Sequence, residues 1–384
     1  MGMFSHSKSY VGVDFGTSSI KVVELTHVAG EPRLMTYGYA EGVSQYARSN
    51  TPESYQQLAT ILKDIWASAH VQSKNVIAAL PNFSVFTSVI TVPSLKKEDL
   101  EGAVQLEAKK FVPMPIEETI LDWRVLDHPR NEGEGEDKKT TQPAPVDHAG
   151  AQGHQSSSST SSSTAGKHQG LSYVEVLITA APKTLVEKYL AIFKYAKLNL
   201  LSLETESFAL ARALVGADSA TVMIIDLGAV STDIMIIENG VPVISRSIDV
   251  GGQTITTALC EHLGVDEKRA EQFKRDVGMS QGQQETEGMS RMIESTFQSV
   301  VNEIHYSLDL YRNRNKGSVE KVILAGGSSF LVGVSDYLER VLSLPVYIGD
   351  AWQQVSYPEE LRSVLSELAP RFSIAIGLAL RELL

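Results

Sequence analysis

The strongest constraint on this chain is a pattern that occurs twice. In each copy an apolar run ends in an aspartate, and a small turn of glycine and hydroxyl residues follows: Val13-Asp14-Phe15-Gly16-Thr17-Ser18-Ser19, then Ile225-Asp226-Leu227-Gly228-Ala229-Val230-Ser231-Thr232. Both copies open a set of three predicted strands, over residues 10–14, 20–26 and 33–40 in the first case and 220–226, 233–238 and 241–248 in the second. Turn residues separate the strands, with Gly30 in the first set and Asn239-Gly240 in the second. The apolar pattern then changes from alternation to helical spacing. Leu58, Ile61, Leu62, Ile65, Trp66 and Ala69 place an amphipathic helix over 52–70. Strands over 75–80 and 85–92 and a helix over 96–111 follow. In the second half a buried strand over 319–324 runs through Gly326-Gly327 into a helix over 328–342. A three-strand start that recurs with helices behind it predicts an α/β protein of two related halves facing each other. At 384 residues the chain is long enough for this, since single cores stop growing near roughly 250–300 residues.

The repeated turn carries a chemistry. Glycine lets the backbone approach a phosphate, the turn's N–H groups donate to it, and a carboxylate at the strand end can hold Mg²⁺ through water. One Asp-x-Gly hairpin alone is usually only a turn. Two in matching positions point to a phosphate grip, with Asp14, Gly16, Thr17, Ser18 and Ser19 on one side and Asp226, Gly228, Ser231 and Thr232 on the other. Lys21 either reaches a terminal phosphate as a point charge or is a solvated strand residue. Gly326-Gly327-Ser328 and Gly251-Gly252 stand at junctions where a helix N-terminus would offer free amides, although such glycine pairs are often only tight turns. Glu271 and Lys274 share one face of a predicted helix.

Composition narrows the partners. Acidic residues outnumber basic ones, 46 to 34, for a net charge of −12, which gives the chain no reason to condense on nucleic acid or anionic lipid. Cys260 is the single cysteine; an internal disulfide and a multi-thiolate metal site are both excluded, and a reducing cytoplasm fits. Residues 1–10 lack a signal-peptide core, and no apolar run is expected to reach the roughly 18 residues that span a bilayer. Membrane attachment is therefore expected through a partner, without direct insertion. Residues 131–170 are Gly, charge, Pro, Ser and Thr, and read as a disordered insertion, either a tolerated surface loop or a regulatory tail.

The order of these motifs resembles the actin, Hsp70 and sugar-kinase superfamily, and within it is similar to the PilM family, the FtsA-like cytoplasmic proteins of type IV pilus assembly. The resemblance rests on Gly12-Val13-Asp14-Phe15-Gly16-Thr17-Ser18-Ser19-Ile20-Lys21, on Glu107-Ala108-Lys109-Lys110-Phe111-Val112-Pro113-Met114-Pro115 followed by Leu121-Asp122-Trp123, on residues 204–214, and on Ile376-Gly377-Leu378-Ala379-Leu380-Arg381. It implies an actin/Hsp70-like ATPase fold with an inserted FtsA-like small subdomain. The first half would hold residues 1–85 and 183–216, the subdomain 86–182, the second half 217–368, and a closing helix of the first half 369–384. It also implies ATP and Mg²⁺ as ligands, with Asp14 and Asp226 as the metal-coordinating acids. Glu204, with Glu206 close by, resembles the residue that orients water near the metal. Glu271 resembles the carboxylate on the ribose hydroxyls and Lys274 the lysine against adenine, with an ordinary surface ion pair as the alternative. The insertion departs from the family in its length.

The same resemblance implies a partner: the short N-terminal cytosolic tail of a PilN-like single-pass inner-membrane protein, held in a groove walled by residues 80–92 and 95–115. The function expected is a cytoplasmic ATP-binding scaffold with at most slow ATPase activity, and self-association stays open. Two alternatives stand beside it, an FtsA-like filament-forming division protein and a metabolite kinase. No base comparable to the catalytic Asp of sugar kinases is evident, which argues against phosphotransfer. The C-terminal apolar segment, too apolar all round for an interfacial helix, is expected to be a buried closing helix.

Overall fold

The computed structural model describes residues 8–126, 172–279, 287–315 and 317–384; the predicted disordered insertion at 131–170 lies outside them. The chain opens with β1 (Ser9–Phe15), β2 (Ser19–Val28) and β3 (Glu31–Glu41), an antiparallel meander whose Val11, Val13, Ile20, Val22 and Val23 are fully buried. Ala29 and Gly30 both take positive φ, 54° and 94°, the two-residue turn that matches strand twist. A single-turn helix α1 (Ser44–Ala47) precedes α2 (Pro52–Ser68), which starts where the Thr51 side chain accepts from Ser54 N–H and proline occupies the first turn. The helix stops short of the predicted residue 70 because His70 adopts a left-handed φ of 51°. Its Leu58, Leu62 and Ile65 bury against the sheet, and β4 (Asn75–Leu80) then pairs parallel to β1.

A small layer follows, made of β5 (Phe86–Pro93), α3 (Lys97–Ala108), β6 (Thr119–Leu126) and β7 (Tyr173–Pro182), with strand order β5-β7-β6. Leu100, Val104 and Ala108 of α3 cover one face. Val89 and Leu177 from the other face join the core of the second half, where Arg314 donates to the Val89 carbonyl. The chain returns through α4 (Lys183–Ala196), β8 (Asn199–Thr205) and α5 (Glu206–Leu214), giving a first sheet ordered β3-β2-β1-β4-β8.

The second half repeats that plan. Its strands β9 (Val222–Leu227), β10 (Thr232–Glu238) and β11 (Val241–Ile248) form another antiparallel meander, closed by Asn239 and Gly240 at φ 50° and 75°. Helices α6 (Gly252–Leu263), α7 (Glu267–Val277) and α8 (Glu287–Asn315) are followed by β12 (Lys321–Ala325), α9 (Val334–Leu342) and β13 (Val346–Ile348), and the sheet order is β11-β10-β9-β12-β13. The helix predicted over 328–342 is shorter than expected. Residues Gly327–Phe330 form a 3-10 turn, and Gly333 at φ 74° breaks the chain before α9 begins.

The closing helix α10 (Arg362–Leu380) begins earlier than predicted and carries Pro370 inside it; the Pro370 carbonyl accepts from Gly326 N–H at 2.9 Å. Helices α5 and α10 lie between the two large sheets. Phe372, Ala375, Ile376 and Ala379 meet Val23 and Leu25 of the first sheet, while Ile374 and Leu378 share a cluster with Ile224 and Met235 of the second. The contacts are close enough that a methyl on Gly12 would sit 1.9 Å from the Ala375 carbonyl oxygen, and one on Gly377 1.9 Å from that of Ala209. Contrary to the sequence expectation, Glu359–Leu380 is long and apolar enough to cross a membrane by length and composition, with a mean hydropathy of 1.3. Its setting accounts for this, since 67% of that window is buried between the sheets.

Candidate functional site

The central strands of the two sheets deliver their aspartates to one place. Asp14 is the second-last residue of β1 and Asp226 the second-last of β9. Both line a cleft of about 810 Å³ between the halves, within the size range of small-molecule sites. Gly16, Thr17, Ser18, Ser19 and Lys21 line it from the first hairpin, and Gly228, Ala229 and Ser231 from the second. The two hairpins have one register: Asp14 lies opposite Lys21, and Asp226 opposite Asp233. A cation therefore stands in the first half where a carboxylate stands in the second.

Lys21 Nζ donates to Asp14 Oδ2 at 2.7 Å, whereas Asp14 Oδ1 is buried with no hydrogen-bond partner. Asp233 accepts from the Ser247 hydroxyl. Glu206, the first residue of α5, accepts the Asn82 backbone N–H at 2.8 Å, and the Asn82 carboxamide oxygen in turn accepts from Ser207 N–H and Oγ at 3.2 and 2.9 Å. Burial, reinforced by Asp233 and Asp14 and opposed by Lys21, pushes the Asp226 carboxyl up to about 7. Burial likewise raises Asp233 to about 6 against the bond from Ser247. Glu206 is held well above the usual carboxylate range by burial and by the charges of Asp233, Asp14 and Asp226, with the Asn82 N–H opposing.

Four carboxylates with one paired lysine among them, and an orphaned buried oxygen on Asp14, fit a divalent cation. Among the described residues no group of three or more His, Cys, Asp or Glu could hold a metal ion by itself. A cation here needs water or ligand oxygens to complete its shell.

The family model described as type IV pilus assembly protein PilM matches residues 12–139 and 165–383. This chain belongs to the PilM family. Among solved structures it is similar to the PilM-PilN type IV pilus biogenesis complex, with a TM-score of 0.76 at 23% identity over 98% of each chain. It is also similar to MreB5 of Spiroplasma citri bound to ADP, with a TM-score of 0.51 at 13% identity over 96% of this chain and 94% of that one. These likenesses show an actin-like fold. Cell division protein FtsA of Neisseria meningitidis serogroup B (strain ATCC BAA-335 / MC58) is 28% identical over 179 residues, and the match spans 41% of this chain and 41% of that protein.

In this PilM-family chain the cleft gathers most of the residues singled out from the sequence, and some it does not. Glu204 is a correction. Its two oxygens accept from Arg212 Nη1 and Nη2 at 2.7 and 3.0 Å, and Arg212 Nη1 also donates to the Gly377 carbonyl at 2.6 Å. That pair ties β8, α5 and α10 together outside the cleft, and Glu206 is the carboxylate that lines it. Thr232 and Gly251 do not line the cleft either. Thr232 Oγ1 donates to the Val250 carbonyl at 2.7 Å, and a methyl on Gly251 would sit 2.7 Å from the backbone of Ala229 and Val230. The expected free amides at the start of α6 are engaged: Gly252 N–H donates to Gly228 O at 3.0 Å and Gln253 N–H to Ala229 O at 2.7 Å. They brace the second hairpin. Gly326 and Gly327 do face the cleft with Ser328, from the 3-10 turn.

Glu271 and Lys274 both line the cleft, joined at 2.6 Å, and Thr256 Oγ1 bonds to each at 2.7 and 3.0 Å. Burial works to raise the Glu271 carboxyl, but the bonds from Lys274 and Thr256 carry it below its ordinary value. Sequence reasoning passed over Asp233 and Arg371, which also line the cleft. Superposing the two hairpins on their aspartates gives the signal for Asp233, since it then falls on Lys21. Arg371 had no local signal.

Proposed function

We propose that this PilM-family chain is a nucleotide-dependent scaffold of the type IV pilus inner-membrane platform, binding ATP with Mg²⁺ in the cleft and a PilN-like cytosolic tail beside it. The observation that carries the reading is the pair of facing aspartate hairpins, with Asp14 Oδ1 buried and unpartnered between them. Asp14 and Asp226 would hold the cation through water. The turns at Gly16–Ser19 and Gly228–Ser231 would receive the phosphates on their amides and hydroxyls. A cation held there would neutralise phosphate charge, without which a polyanion would meet four carboxylates. Glu206, fixed by the Asn82 N–H, is the group positioned to orient a water toward the phosphates, and slow turnover follows if it stays protonated. Glu271 and Lys274 would flank the nucleoside. A structure of MreB5 of Spiroplasma citri, of the same fold, is described as bound to ADP.

The partner assignment is supported by the likeness to a structure described as a PilM-PilN complex. In this chain Pro81 and Phe83 line the cleft, and β5 begins three residues later at Phe86, so a tail-binding groove walled by residues 80–92 and 95–115 would adjoin the nucleotide. An extended tail would pair its main chain with a strand edge and seat alternate side chains in apolar pockets, and such a tail would bring the protein to the cytoplasmic face of the inner membrane. Calorimetric titration tests both parts. Mg-ATP should bind the parent and lose affinity at least tenfold in Asp14→Ala, and a synthetic tail peptide should bind in the micromolar range, about −8 kcal/mol. Unaltered ATP affinity in Asp14→Ala removes the nucleotide assignment, and no peptide binding with or without Mg-ATP removes the pilus-platform one.

A further inference from the structure

The cleft is lined by seven acidic side chains against four basic ones, so where its cations are committed decides how it can take a polyanion. Lys21 is spent on Asp14 at 2.7 Å. Lys274 is held by Glu271, Thr256 and the Gly252 carbonyl at 2.6, 3.0 and 3.1 Å. Arg275 also pairs with Glu271, at 3.2 Å, and its side chain is 76% exposed. Arg371 differs from all three. What differs is its partner: Nη2 donates to Glu41 Oε1 at 2.6 Å, and that carboxylate is 61% exposed, against 2% for Asp14 and 33% for Glu271.

The stem of Arg371 is nevertheless fixed. It grows from α10 one residue after Pro370, whose carbonyl is tied to Gly326 N–H, its Cγ lies 3.9 Å from where a methyl on Gly327 would stand, and its guanidinium stacks on Tyr39 at 5.5 Å. Glu41 adjoins the first hairpin, because the next residue, Gly42, donates its N–H to the Ser18 carbonyl at 3.0 Å. The head group thus rests where the Ser18 turn of one half meets the Gly327 turn of the other. An ion pair to a solvated carboxylate is weak enough for a phosphate to displace it, and a guanidinium grips phosphate through two parallel bonds.

The geometry points to Arg371 as an anion-binding residue of the cleft, parked on Glu41 and transferred to the phosphate chain when a nucleotide enters. This rests on the nucleotide reading above and adds a residue and a competitor to it. Glu41 sets the affinity by competing with the ligand for one guanidinium.

The test is a double-mutant cycle on the full chain, titrating Mg-ATP into the parent, Glu41→Gln, Arg371→Gln and the double variant. Arg371→Gln should weaken binding about tenfold, the scale of one charge-assisted pair. Glu41→Gln should tighten it about threefold by releasing the competitor. The gain should vanish in the Arg371→Gln background. If it persists there, Glu41 acts only through general repulsion of the ligand and the transfer is refuted. Unchanged or weaker binding in Glu41→Gln overturns it as well, and this arm stands even if Arg371→Gln fails to fold. A parent that binds no Mg-ATP sinks the nucleotide reading itself, a result distinct from a parent that binds and variants that do not respond.

Discussion

Replacing Asp226 by asparagine should move folding and ligand binding in opposite directions. Asp226 is half-buried at the cleft wall, and burial with the charges of Asp233 and Asp14, opposed by Lys21, raises its carboxyl from 3.8 to about 7. Between those two values the folded protein binds more protons than the unfolded chain, so stability falls as pH rises through the window. At about 1.4 kcal/mol per pH unit, full ionisation of this one group costs up to about 4 kcal/mol. Asparagine keeps the shape and removes the charge. The ligand-free variant should gain about 1–3 kcal/mol at pH 8 after the neighbours relax, several degrees in thermal midpoint. With Mg-ATP the order should reverse, because the parent gains stability by mass action and the variant, lacking an anchor for the cation, does not. Differential scanning calorimetry at pH 5.5 and pH 8, with and without Mg-ATP, measures all of this. A variant that is no more stable than the parent at pH 8, or one that gains as much from Mg-ATP, refutes the picture of a strained carboxylate cluster kept for a cation.

Three further outcomes follow from named contacts. Because Asp226, Asp233 and Glu206 all titrate high, cation-nucleotide binding should expel protons near pH 6.5 and tighten as pH rises from 5.5 to 8; calorimetry in buffers of different ionisation enthalpy reads the release, which should shrink in Asp226→Asn. Gly12→Ala drives a methyl into the backbone of Ala375 and Ala379 and should cost about 3 kcal/mol in urea unfolding. Arg212→Ala strands Glu204, whose side chain is 11% exposed and has Arg381 only at 3.7 Å, and should cost about 3 kcal/mol of stability. Mg-ATP affinity in that variant should stay within about threefold of the parent, given that the pair lies outside the cleft.

What the sequence conveys about the site is what local chemistry conveys. The aspartate hairpins announce themselves because the strand end, the glycine and the hydroxyls are contiguous, and duplication makes chance matching implausible. Glu204 misleads for a physical reason. It stands on β8, and the chain switches to α5 two residues later, so Glu206 leaves the strand's alternation and turns into the cleft while Glu204 goes to Arg212. Nothing in a linear string marks such a switch of period. The 3-10 turn at Gly327–Phe330 was hidden by apolar spacing that continues into α9, although Gly333 marks the break in retrospect. Contacts between distant segments were beyond reach: Val89 and Leu177 enter the second half's core, and Arg371 reaches Glu41 across most of the chain.

The close fit of Gly12 against Ala375 has a consequence for how the molecule is made. The partners are about 360 residues apart, and a ribosome adding about 5–20 residues per second presents β1 roughly 20–70 s before the helix that completes it. Throughout that interval Val23 and Leu25, fully covered in the finished protein, have no native neighbour from α10. Nascent chains should therefore bind a chaperone on this face until α10 emerges, and chains cut off upstream of residue 362 should keep it exposed. Such fragments would be selectively cleared by proteolysis, leaving assembly to chains that carry both β1 and α10.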